Sequence, residues 1–271
     1  MKKSTIQGGY IVAAINRAPQ FAPNSIEKDR AILRNVAERL PWPCRYVEED
    51  DVHACDDADI FLSMGRHPKT LRFLRRQERL GAVVVNGSES VLRCRPSLVT
   101  RLLRRNELPV PPQSTGLGWW LKRGDGCAET KDDVVFCPDR ASLKAARAAF
   151  LERGIRRTVT SAHVAGDLVK FYGVGDLFFR LYYPTDDGIS KFGNEARNGV
   201  AHHYAFDLEA FKKDVFRIAS LTGLDVYGGD AIVREDGTYC FFDFNDWPSF
   251  SRCLAEAGAA IAELVRKKVE N

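Results

Sequence analysis

Two aspartates and an asparagine near the C-terminus have the types and spacing to hold a divalent cation. They lie in VYGGDAIVREDGTYCFFDFNDWPSF, Val226 to Phe250, which reads as two short strands meeting at Asp236-Gly237. Asp-Gly between β-rich runs signals a hairpin with a two-residue turn. With that turn Glu235 faces Thr238, and counting outward along both strands sets Asp230 opposite Asp243. Asn245 then points the same way as Asp243, because strand side chains alternate with period two. Like charges opposed across a strand pair destabilise it. Phe241, Phe242, Phe244, Trp247 and Phe250 are also poor company for charges left unpaired. A solvated strand end with unrelated acids is the plain alternative, and the apolar surroundings weigh against it. Mg2+ combines carboxylate oxygens with substrate phosphates, so the expectation is a Mg·nucleotide site.

Three cations join these acids in the later two-thirds of the chain. Lys122 ends Trp119-Trp120-Leu121-Lys122 just before Gly124-Asp125-Gly126. It can reach phosphate oxygens there, with glycines admitting close backbone approach; a snorkelling surface lysine fits the same text. Lys170 lies on one expected strand and Arg180 on the next. Such cations converge on a phosphate or carboxylate, or pair with acids across strands.

Strands alternating with helices must position these groups. The first 90 or so residues give strands at Tyr10 to Ile15, Arg45 to Val47, Ala58 to Met64 and Ala82 to Asn86, with helices at about Ser25 to Leu40 and Pro68 to Leu80. That order implies a parallel sheet in a small Rossmann-like unit, and without a GxGxxG loop it is not read as dinucleotide-binding. Ser88 is expected to cap a short helix. A second helix carries Leu98, Leu102 and Leu103, and Pro109 and Pro111 fix an extended exit. Further strands are expected at Trp119 to Lys122, Asp133 to Cys137, Arg157 to His163, Asp167 to Val174 and Phe178 to Tyr183, with helices at Arg140 to Arg153 and Asp207 to Leu221. The polar stretch Thr185 to His203 reads as a mobile loop near substrate, where Lys191, Arg197, His202 and His203 are more often plain solvated residues than helpers. Leu254 to Val269 is a closing amphipathic helix.

Composition narrows the class. The chain has 271 residues, 45% hydrophobic, and 40 basic against 36 acidic residues give a net charge of +4, too little to imply nucleic acid by itself. Seven scattered cysteines without CxxC spacing favour reduced thiols in a cytoplasm over disulfides or zinc. Neither a signal peptide nor a membrane span is expected.

The order of these features resembles the ATP-grasp superfamily from about Asn86 to Phe250. A strand is followed by Asn86-Gly87-Ser88-Glu89, a helix runs to Leu108-Pro109-Val110-Pro111, a strand ends in Lys122, and Asp230-Ala231-Ile232-Val233 precedes Asp243-Phe244-Asn245. The resemblance implies an α/β protein of α+β lobes with the ATP-grasp fold: a Rossmann-like pre-ATP-grasp domain over 1–88, then an ATP-grasp domain over 89–271 of two β-rich lobes, the central one at about 115–165. It implies ATP bound between the lobes with Mg2+ held by Asp230, Asp243 and Asn245. Lys122 matches a lysine on the nucleotide phosphates, Ser161, Ala162, His163 and Val164 match the hinge that meets adenine, and Arg95 is a weaker match to a nucleotide-contacting arginine. Carboxylate-amine ligases of the superfamily usually close with Glu-x-Asn, whereas Asp-x-Asn is typical of its inositol polyphosphate kinases. The segment Gly166 to Gly175 resembles those kinases' substrate-holding pattern, and Arg180 sits about where they carry a phosphate-binding arginine. The kinases' histidine after the lysine is missing, and their closing Pro-Gly is Pro248-Ser249.

The first expectation is therefore γ-phosphoryl transfer from Mg·ATP to an anionic small molecule held by Lys170 and Arg180, with no nucleic acid or membrane partner. The alternative is a carboxylate-amine ligase acting through an acyl phosphate, which needs the same metal site. A nucleotide-binding protein without turnover is the third reading, and opposed carboxylates weigh against it.

Overall fold

The computed structural model describes residues 9–21, 26–126, 128–187 and 195–270. The first sheet is parallel, in the order β2-β1-β3-β4, from β1 (Val12–Asn16), β2 (Cys44–Glu48), β3 (Ile60–Ser63) and β4 (Val83–Val85). Its two middle strands, VAAIN and IFLS, are buried along their whole length, as continuous apolar runs require. Helix α1 (Ile26–Ala37) buries Ile32, Leu33 and Val36. Helix α2 (Pro68–Arg79) starts on a proline, whose fixed φ suits a first turn. Two short helices follow, α3 (Ser88–Arg93) and α4 (Pro96–Arg105). Ser88 is not the cap expected of it: Gly87 holds that position, and the Ser88 hydroxyl instead donates to Glu78 Oε2 at 2.7 Å.

The second sheet is small and antiparallel, in the order β6-β5-β7, from β5 (Trp119–Arg123), β6 (Val134–Cys137) and β7 (Thr158–Ala162). Helix α5 (Arg140–Glu152) opens with a capping box between Asp139 and Ser142. Its Leu143 and Phe150 cover Leu121 and Cys137. That sends Trp120 and Lys122 to the sheet's other face.

The third sheet, in the order β11-β10-β8-β9, consists of β8 (Asp167–Val174), β9 (Phe178–Tyr182), β10 (Val226–Val233) and β11 (Tyr239–Asp246), all antiparallel. Helix α6 (Leu208–Thr222) precedes β10, and α7 (Leu254–Glu270) closes the described chain. Behind this sheet α4 and α6 pack on Val169, Phe171, Ala231, Phe241 and Phe244. A separate core joins β1, β3, α1 and α7 to Tyr172, Val226, Trp247 and Phe250. Among the described residues no helix is long and apolar enough to cross a membrane.

The β10–β11 hairpin corrects the expected turn. Arg234 N–H donates to the Thr238 carbonyl, Gly237 N–H to that of Arg234, and Gly237 has φ +78. The loop is therefore the three residues Glu235 to Gly237, with glycine in the left-handed conformation such loops use, and Val233 pairs with Tyr239. This moves the register by one from a two-residue turn. A bulge moves it back: Ala231 pairs with Phe241 but Asp230 with Asp243, so Phe242 is the extra residue. Because a one-residue slip turns every later side chain over, the bulge sends Phe244 into the rear core and aims Asp243 and Asn245 to the front. The expected opposition of Asp230 and Asp243 is present, for two reasons the sequence reading did not contain.

Candidate functional site

Lys170, Asp230 and Asp243 form one row across β8, β10 and β11 as direct cross-strand partners. Lys170 Nζ stands 3.2 Å from Asp230 Oδ1, each side chain 22% exposed. The Asn245 amide donates to Asp243 Oδ2 at 2.9 Å, which leaves its carbonyl oxygen for another partner. Burial pushes the Asp230 carboxyl above its ordinary range, Asp243 adds to the rise, and the charges of Lys170 and Lys122 offset only part of it. The row itself carries two carboxylates and one ammonium group. Two carboxylates and an amide oxygen are hard donors that fit Mg2+, which takes its remaining ligands from phosphate and water. Among the described residues no group of three or more His, Cys, Asp or Glu is placed to hold a metal by itself.

Lys122 approaches this row from the small sheet. Its Nζ donates to the Phe242 carbonyl at 2.9 Å and lies 4.9 Å from that ring's centroid, so the bulge that aims Asp243 also receives the lysine. Beside it Val164, Leu168, Ile232, Cys240 and Phe242 make an apolar patch between the sheets. Gly124 has a structural reason: its N–H meets the Arg157 carbonyl at 2.7 Å, and a Cβ there would lie 3.0 Å from the same oxygen. The following loop is held by Arg123, which pairs with Asp125 and Glu129. Arg95 caps α4, whose Ser97 N–H meets the Gly124 carbonyl at 3.1 Å; the arginine therefore stands near the turn that follows Lys122.

The hinge leaves the end of β7. Ser161 pairs with Trp120 and Ala162 with Trp119. The Ala162 and His163 N–H groups donate to the carbonyls of Pro112 and Gly118, and Asn198 donates to the Val164 carbonyl at 3.1 Å. Trp120 Nε1 lies 3.2 Å from His163 Nδ1. An indole only donates, so that nitrogen accepts. Burial, and then Arg197, lower the His163 pKa from its ordinary value. The Arg197 guanidinium lies 3.6 Å from the Phe136 ring centroid, next to this cluster.

Arg180 goes elsewhere. Its guanidinium pairs with Glu256 of α7 at 3.2 Å, half exposed, and the residue across from Lys170 on β9 is Tyr182. The Tyr182 and Tyr172 hydroxyls are 2.8 Å apart, and Arg252 lies 4.2 Å from the Tyr182 ring centroid. The sequence reading missed these three, although an arginine and aromatic rings flanking an acidic hairpin are a usable signal. His202 and Tyr204 donate backbone N–H groups to buried Asp167, and His203 meets Asp186 at 3.1 Å. Lys191 and Cys127 lie outside the described residues. Cys137 and Cys240 are buried, the latter thiol pushed up to about 11 by burial, in keeping with no assigned role.

At the end of β11, Arg66 and Asp246 form a largely buried pair at 2.6 Å. Arg17 bonds the Trp247 carbonyl at 2.8 Å and pairs with Asp29. Burial alone would raise the Asp246 carboxyl, but Arg66 and Arg17 hold it below its ordinary value. Both arginines follow strands of the parallel sheet at their C-terminal ends, where α/β sheets gather polar side chains. That rule could have flagged them.

The parallel sheet, the small antiparallel sheet and the larger antiparallel sheet together constitute the ATP-grasp fold. Solved structures similar to this chain include D-alanine-D-alanine ligase from Bacillus anthracis, with a TM-score of 0.65 at 12% identity over 97% of both chains, a protein also solved in complex with ATP. D-cycloserine synthetase DcsG has a TM-score of 0.66 at 15% identity over 94% of this chain and 99% of its own. The D-alanine-D-alanine ligase of Coxiella burnetii has a TM-score of 0.63 at 9% identity over 97% of both. No family model and no curated protein matches the sequence. These neighbours give the inositol polyphosphate kinase branch no support.

Proposed function

We propose that this protein is an ATP-dependent ligase that joins a carboxylate to an amine through an acyl phosphate. The observation that carries this reading is the row Lys170-Asp230-Asp243 with Asn245, facing Lys122 across the sheets, in a fold whose named neighbours are ligases or a synthetase. Asp230, Asp243 and Asn245 would hold Mg2+, which when bound supplies charge neutralisation to the nucleotide phosphates. Lys122 would exchange the Phe242 carbonyl for phosphate oxygens. Ser161 to Val164, with the apolar patch beside them, would take the base, and Arg95 would stand by the phosphates. Lys170 would turn from Asp230 toward the anionic substrate's carboxylate; Arg180 would have to leave Glu256 to assist.

In this chemistry a carboxylate oxygen attacks the γ-phosphorus while the bond to the bridging oxygen breaks, giving ADP and an acyl phosphate. The amine then attacks the acyl carbon, phosphate departs with the bonding pair, and the surplus proton passes to water. Positioning and charge neutralisation are the protein's main contributions. Phosphotransfer to a hydroxyl is the second reading, favoured by Asp243-Phe244-Asn245 in place of Glu-x-Asn. Phosphorus NMR with Mg·ATP and pools of carboxylates, amino acids, sugars and inositol phosphates tests both. ADP with equivalent free phosphate, dependent on a carboxylate and an amine, supports the ligase; a new phosphate-ester signal overturns it.

A further inference from the structure

Helix α4 turns Val99 and Leu103 into the core and leaves Arg101, Arg104 and Arg105 exposed. Arg104 and Arg105 lie three and four residues beyond Arg101, which places like charges side by side on the helix surface, where they repel. None has an acidic partner among the described residues. They form one wall of a groove of about 370 Å3, and Thr158 to Thr160 of β7 form the other; the size is that of a small-molecule site.

The β7 wall is a strand edge. Ala162 N–H points outward to Pro112, while the Arg157 carbonyl points inward to Gly124. Alternation along an antiparallel strand then turns the N–H groups of Thr158 and Thr160 outward as well. Guanidinium and backbone N–H donors thus face one space, together with the Thr158 and Thr160 carbonyls that the same alternation turns outward; the Thr160 hydroxyl accepts from Arg147 at 3.0 Å, and Arg156 and Arg157, next along the chain, are exposed. Helix α4 flanks this edge closely, which suits an anion of side-chain size better than an added strand. Lys122, Lys170, Asp230, Asp243 and Asn245 do not line the groove.

We infer that this groove binds a small oxyanion carrying at least two negative charges, of pyrophosphate or polycarboxylate type. The inference stands independently of the ligase reading. Calorimetric titration of the full chain with pyrophosphate, and separately with citrate, tests it without Mg2+. Arg101→Gln/Arg104→Gln should weaken the tighter-binding anion by about tenfold or more, since it removes two charge-assisted donors. The charge-matched control Arg72→Gln/Arg217→Gln and the cleft variant Lys122→Met should each stay within about twofold. All of these are surface or half-buried changes, and thermal melts confirm folding. Whichever anion binds tighter distinguishes phosphate from carboxylate recognition. Three results overturn the inference: no binding of either anion, equal weakening in the charge-matched control, or loss in Lys122→Met with the arginine pair unaffected.

Discussion

Asp230 and Asp246 sit on the same hairpin, each against a cation, and their surroundings act in opposite directions. Asp246 meets Arg66 at 2.6 Å with Arg17 close by, and its carboxyl is held below the ordinary range in spite of burial. Asp230 meets Lys170 at 3.2 Å but faces Asp243 on the next strand, and its carboxyl is pushed up. Arg66 and Arg17 satisfy Asp246 from within the fold, so that carboxylate fastens β11 to the parallel sheet. The Asp230 row sets two carboxylates against the single ammonium group of Lys170. Two acids on one hairpin thus differ in whether the fold itself supplies the opposite charge.

Arg66→Ala is the sharpest way to break this contrast. Removing one partner of a buried pair costs about 3–5 kcal/mol, to be read from denaturant unfolding; a loss under about 1 kcal/mol would put Asp246 in the same class as Asp230. Asp230→Asn and Asp243→Asn should do the reverse. Stability should stay within about 1 kcal/mol, while ATP turnover with its acceptors falls by on the order of 10² to 10³. Full turnover in either variant removes the row from the mechanism. Lys122→Met should raise the KM for ATP about tenfold with little loss of stability, and an unchanged KM would reduce its contact with Phe242 to packing.

The smallest effect is a pH slope. The His163 pKa is lowered in the folded chain by burial and by Arg197, so the unfolded chain binds more protons below the ordinary value of 6.5. Wild-type stability should therefore decline as pH falls through 6.5 toward the folded value, and protonation also removes the acceptor for Trp120. His163→Gln, which keeps an acceptor, should show a shallower decline between pH 7 and 5 and a steadier tryptophan fluorescence. Parallel slopes in the two proteins would rule this out.

Local patterns were legible where they were self-contained. Apolar runs marked strands in each of the three sheets, such as β1, β6 and β9, though not β2 or β7, and Asp-Gly marked the hairpin. The turn length was not legible, because Asp236-Gly237 serves a three-residue loop as readily as a two-residue one, and nothing in Phe241-Phe242 announces a bulge. Two one-residue errors cancelled, so Asp230 and Asp243 still met. Partners far apart in sequence stayed hidden. Arg66 and Asp246 are 180 residues apart, and Arg180 finds Glu256 across 76; residue type alone does not choose among the many acids available. The kinase branch was inferred from the Asp243-Phe244-Asn245 triplet, a glycine-bearing strand and the position of Arg180; packing alone accounts for one of those glycines, since a Cβ at Gly173 would strike the Tyr227 ring.

The packing of α7 against α1 has a consequence for how the chain is made. The core beneath β1 and β3 includes Ile261, Ala262 and Val265, residues that leave the ribosome some two hundred positions after the strands they cover. At ordinary rates of synthesis the parallel sheet waits on the order of ten seconds or more for its last layer, with apolar surface open to other chains. Nascent protein halted before α7 should accordingly need a holdase that the released chain does not.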